Sequence, residues 1–92
     1  MIETKKIGNS SGFKIELHNA NFLMIVAKKG FIMCGYLNID TAEKLNDAAC
    51  VVTGVKNFDE VLNAKIVKLT TKAKELGIKE GMLGKDALKL LE

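Results

Sequence analysis

Residues 21–37 read NFLMIVAKKGFIMCGYL: two apolar runs, 22–27 and 31–37, joined by Lys28-Lys29-Gly30. Short runs of Phe, Met, Ile and Val around a glycine-bearing turn predict a β-hairpin. A three-residue loop with glycine last fits a type I turn closed by a left-handed residue. Both faces of both runs are more apolar than one small chain can cover. That predicts a sheet buried on two sides, and self-association.

Working outward, Ile2 to Ile7 is a first strand, ended by the turn-forming cluster Gly8-Asn9-Ser10-Ser11-Gly12. Phe13, Ile15 and Leu17 alternate with Lys14, Glu16 and His18, the pattern of a half-buried strand. Asn19-Ala20-Asn21 turns the chain into the central hairpin, so residues 1–37 read as an antiparallel meander. Downstream, Asp40 as N-cap and Glu43 three residues later open a short helix running to about Ala48. Cys50 to Val55 is a fifth strand, expected parallel to the fourth across a right-handed crossover. Phe58 to Leu62 makes a helical turn or two. Asn63 caps a longer helix in which Ile66, Leu69, Ala73 and Leu76 repeat at helical spacing and Gly77 supplies the stop; a strand over 65–69 is the alternative. Lys85 to Leu91 closes the chain as a helix with Ala87, Leu88 and Leu91 inward. Strands come first and helices second, which predicts one α+β domain over 1–92: a mainly antiparallel mixed sheet of about five strands, strand-rich over 1–37, with short helices from 38–92 packed on one face.

Pairing Glu16 with Met24, and Met24 with Cys34, divides the sheet into two faces. Phe13, Ile15, Leu17, Leu23, Ile25, Ala27, Met33 and Gly35 form a charge-free face for the helices to cover. The other face mixes Lys14, Glu16 and His18 with an apolar stripe of Phe22, Met24, Val26, Ile32, Cys34 and Tyr36, the expected oligomer interface. A one-residue slip would exchange a strand's faces.

Composition narrows the function classes. At 92 residues, 48% hydrophobic and 27% charged, the chain has the make-up of an ordinary globular domain. No apolar run reaches the roughly 18 residues that span a bilayer, and MIETKKIGNS lacks a signal-peptide core, so the expected location is the cytoplasm, with no membrane partner. The net charge of +3 is all lysine. Without arginine, the usual bidentate reader of phosphate and guanine, nucleic acid is a disfavoured partner. Cys34 and Cys50 form no C-x-x-C pair and only one histidine is present, so neither a metal site nor a cofactor is expected.

Three residues of the mixed face form the candidate catalytic group: Cys34, His18 and Tyr36. A nucleophilic Cys34 needs a partner that lowers its pKa, and His18 lies two strands away, roughly 10 Å at about 4.8 Å per strand. A buried structural thiol and a surface imidazole are the plainer readings. Gly84 at a helix start, with Lys85 and Lys79, is a candidate anion site through free backbone N–H groups. Asp86 follows Lys85 where a Walker A loop needs Ser or Thr, so this is no phosphate loop of that kind. Lys65, Lys68 and Lys72 read as the solvated side of the long helix.

The run Asn21-Phe22-Leu23-Met24, then Gly30 through Leu37, Gly54-Val55, Leu76 through Met82 and Gly84-Lys85-Asp86-Ala87-Leu88 resemble the prokaryotic family called domain of unknown function 1805, or YunC-like. The resemblance covers nearly all the chain after about residue 20. It implies a small α+β domain whose strand-rich amino-terminal part helps build a homotetramer, and it implies no activity. Leu83 departs from the Thr or Ser usual before that glycine, which removes a capping hydroxyl. The expectation is therefore a domain that assembles with itself; the alternative is a small-molecule-binding protein or enzyme with an inter-subunit site around Cys34.

Overall fold

The computed structural model describes residues 1–92. Six strands form one sheet in chain order: β1 (Ile2–Ile7), β2 (Ser10–Glu16), β3 (Asn21–Val26), β4 (Gly30–Met33), β5 (Ala48–Val51) and β6 (Lys68–Leu69). All neighbours are antiparallel except β4 and β5, which run parallel across α1 (Ile39–Lys44). The helices α2 (Phe58–Asn63), α3 (Thr71–Glu75) and α4 (Gly84–Leu91) complete the α+β fold.

Turn lengths decide the faces. Ala27 N–H donates to the Gly30 carbonyl at 2.8 Å, so the β3–β4 loop is the two residues Lys28 and Lys29. The three-residue loop expected from the sequence would have paired Met24 with Cys34; the shorter one pairs Met24 with Met33 and Ile25 with Ile32. Leu17 N–H likewise reaches the Ala20 carbonyl at 3.2 Å around the tip His18-Asn19, which sets Phe13 opposite Met24 and Glu16 opposite Asn21. Both corrections are odd-numbered slips, so they carry β2 and β4 to the faces opposite those expected. Gly30 does not take the left-handed conformation expected of it. Its role is close approach, since a Cβ there would strike the Ala48 carbonyl of the parallel neighbour β5.

One face of the sheet carries Leu23, Ile25, Ile32, Cys34, Cys50 and Val52, covered by Phe58, Val61, Ala73, Ala87, Leu88 and Leu91 of α2–α4. The other carries Met24, Phe31, Met33, Ala49 and Val51, over which α1 lays Ala42. Three helices share one face as expected, and α1 takes the opposite one, as a crossover between adjacent parallel strands permits.

Local chemistry trims the helices. Asn38, not Asp40, caps α1 by accepting the Asp40 N–H at 2.8 Å, and α1 ends at Lys44 rather than near Ala48. Asn57 caps α2 by accepting the Glu60 N–H. The long helix expected after Asn63 is absent. Ile66 N–H donates to Met82 and Gly81 N–H to Ile66, which holds residues 65–69 extended and leads into β6. Thr70 then caps α3: its Oγ1 accepts the Ala73 and Ala49 N–H groups and donates to the Asp47 carbonyl. Lys65, Lys68 and Lys72 stay exposed, two of them on extended chain.

Candidate functional site

Beyond Met33 and Val51 the parallel strands part. The last backbone bond between them runs from Val52 N–H to the Met33 carbonyl, at 3.0 Å. From there β4 folds into the turn Cys34–Leu37, closed by Leu37 N–H on the Cys34 carbonyl at 3.3 Å, while β5 runs on into Thr53-Gly54-Val55-Lys56. The divergence opens a cleft of about 570 Å³, within the range of small-molecule sites. The β2–β3 loop closes one side with Asn19, Ala20 and Asn21. Asn21 Nδ2 donates to the Lys56 carbonyl at 3.0 Å and so ties that side to the β5 extension. Open α/β sheets bind ligands beyond the carboxyl ends of their strands where neighbouring connections diverge, and this single parallel pair shows the same divergence.

Of the candidate catalytic group, Cys34 and Tyr36 line this cleft, and Tyr36 is 52% exposed. His18 sits at the exposed tip of the β2–β3 hairpin and does not line it, although its neighbour Asn19 does. Cys34 is 4% exposed and structurally employed: its carbonyl is taken by the turn, and its Sγ accepts the Leu23 N–H at 3.4 Å in the place the carbonyl would fill in a regular ladder. Cys50 is fully enclosed, and burial pushes its thiol up to about 12, so it stays protonated and inert. In the native protein neither thiol should react with an aromatic disulfide reagent on the time scale of mixing, at about pH 8. Both should titrate after denaturation. Rapid native reaction at Cys34 would mean a thiol open to the cleft.

The expected interface stripe divides between the faces. Met24 and Val26 lie on the α1 side with Phe13 and Ile15, whereas Phe22, paired with Ile15, is half-buried against the helix-covered core. Ile32 and Cys34 lie inside the helix-covered core. The candidate anion group is likewise dispersed. Gly84 packs its α-carbon on the Val61 carbonyl, and its N–H donates to Ala64 at 2.8 Å. Lys85 is exposed on α4, and Lys79 lines another groove with Glu43, Lys74 and Glu80. Leu83, at the N-cap, makes no side-chain capping bond. No group of His, Cys, Asp and Glu side chains has the geometry to hold a metal ion, and no helix is long and apolar enough to cross a membrane.

The residues that the sequence reading missed are Asn19, Asn21, Thr53, Gly54 and Lys56. The signal was present in the expected parallel pairing of β4 and β5, since such a pair directs attention to whatever follows each strand.

Comparison with known proteins agrees with this architecture. The chain is 37% identical over 78 residues to the uncharacterized protein YunC of Bacillus subtilis, a match covering 80% of this chain and 77% of that protein. It superposes on the crystal structure of TA1206, a protein of unknown function from Thermoplasma acidophilum, with a TM-score of 0.90 and 38% identity, covering all of this chain and 92% of the other. Residues 33–91, which hold β5, the helices and most of the cleft, match the model of the domain of unknown function DUF1805. The chain belongs to the DUF1805 family.

Proposed function

We propose that this chain is a cytoplasmic domain that assembles with itself into a homotetramer, burying the outer face of β1–β3 between copies. One observation carries the reading: the β1–β2 ribbon is amphipathic in the sense opposite to a monomer's needs. On the side facing the helix layer only Ile7 packs on the core, and the rest of that side shows Glu3, Lys5 and Lys14, with Lys14 Nζ 4.0 Å from Glu3 Oε1. On the outer side Ile2, Phe13 and Ile15 form an apolar stripe beside Thr4 and Lys6, continued across β3 by Met24 and Val26. Ile2 is 71% exposed and Phe13 36%. A contiguous apolar face of this kind marks an interaction surface.

The same face offers both parts of a self-complementary contact. Ile2 and Phe13 project from it, and beside α1 it sinks into a groove of about 350 Å³ lined by Met24, Phe31, Met33, Leu37 and Leu45. A patch with projections and a recess can pack against its own copy across a two-fold axis. The family resemblance sets the expected number of subunits at four. Two unbridged, buried thiols suit a reducing compartment.

Light scattering at micromolar concentration tests this. The wild-type chain should show the mass of four copies, and a monomer would overturn the proposal. Met24→Lys and Phe13→Lys should each weaken assembly by about 30-fold or more, the scale of a buried interface anchor. An unchanged mass for both variants would remove this face as the interface.

A further inference from the structure

We propose that the cleft between the carboxyl ends of β4 and β5 binds a small organic anion, seating its phosphate or carboxylate head against the Thr53–Lys56 segment and its body against Tyr36. This reading stands independently of how copies assemble.

The first support is a run of unused donors. The backbone N–H groups of Gly35 and Tyr36, and of Thr53, Gly54 and Val55, donate to no protein acceptor. All five belong to residues lining the cleft, on its two opposite walls. Val55 is buried and the other four are exposed residues of the lining, so a ligand seated in the cleft finds five backbone donors that the protein itself leaves unused. Gly54 has φ +70°, and a Cβ built there would meet nothing within 4 Å. Successive N–H groups around a left-handed residue form the concave arrangement that holds anions.

The second support is charge. Lys56 is the single lysine or arginine in the lining, and no carboxylate lines the cleft at all. Glu60, the acidic group held nearby, spends Oε1 on the Lys56 backbone N–H at 2.8 Å and stays outside the lining. Thr53 and Asn19 add side-chain donors to the lining. Ala20, Cys34, Tyr36 and Val55 supply apolar wall, so the cleft suits a ligand with a body as well as a charge.

Titration of the ¹⁵N-labelled full chain with phenyl phosphate and with benzoate, alongside inorganic phosphate and neutral benzyl alcohol, tests the proposal. At least one aromatic anion should saturate with a dissociation constant at or below the millimolar range, and should shift the amides of Gly35, Tyr36, Thr53, Gly54 and Val55 most. Which of the two binds more tightly identifies the head group. Lys56→Glu should weaken it about tenfold or more, and Gly35→Leu, which fills the cleft from the other wall, should abolish the shifts. Equal binding of benzyl alcohol, an unaffected Lys56→Glu, or no perturbation of these five amides by either anion would each overturn the proposal.

Discussion

Ile32→Ala should destabilise the protein by about 2–5 kcal/mol while leaving the mass of the folded protein in solution unchanged. Ile32 is fully enclosed in β4, opposite Ile25 and Cys50 and under the α2–α4 layer. Truncating it removes buried methyl groups and leaves a void that the flanking strands cannot collapse into, since each is held by ladder bonds. The melting temperature should fall by roughly 10 °C or more for a domain of this size. Urea unfolding at fixed protein concentration measures the loss, and light scattering below the transition measures the mass. Dissociation without destabilisation would place Ile32 on the outer face and contradict the two-residue Lys28-Lys29 turn. The contrast with Met24→Lys makes the register itself testable.

Gly84→Ala should cost about 3 kcal/mol or more, although it adds only one methyl group. That methyl would fall on the Val61 carbonyl and close to the Leu62 α-carbon, both backbone and neither free to rotate away. Moving α4 outward to make room would break Gly84 N–H on the Ala64 carbonyl and loosen Ala87, Leu88 and Leu91 from the core. In an ordinary helix interior the same change would be favourable by about 1 kcal/mol, because alanine is the better helix former. The sign therefore distinguishes close packing from helix propensity. A stabilised Gly84→Ala variant, read by calorimetry, would show that α4 does not start against α2.

How far the sequence carries is clearest at the turns. Ile2 to Ile7 with the turn cluster after it, the alternation of Phe13, Ile15 and Leu17, and the apolar runs of 22–27 and 31–37 are enough to place four strands and the meander. The closing helix was legible from Ala87, Leu88 and Leu91. The faces were not, because they hang on one residue of turn length. Gly30 looked like the left-handed member of a three-residue loop, whereas it serves the approach of Ala48 from a strand remote in sequence. Nothing local to Lys28-Lys29-Gly30 distinguishes the two uses of a glycine. The segment 65–69 failed for a similar reason. Its helical spacing is real, but its backbone partners are Met82 and Gly81, and tertiary pairing overrode a local pattern. Of the site, Cys34 and Tyr36 are marked in the sequence by their reactive groups. The backbone donors around Gly54 carry no mark in a residue-type reading.

The lone parallel pairing in the sheet also divides its contacts by the length of chain they must close. Each antiparallel neighbour in β1–β4 is joined by a two-residue loop, so those pairings close with little loss of chain entropy. β4 can meet β5 only after the whole α1 segment has been gathered, a longer closure that contacts of larger sequence separation must offset. The cleft lies on that seam, with one wall from the locally paired meander and the other from a strand held by contacts of larger sequence separation. Its geometry is therefore a property of the completed fold alone, and a partly folded chain has no version of it to offer a ligand.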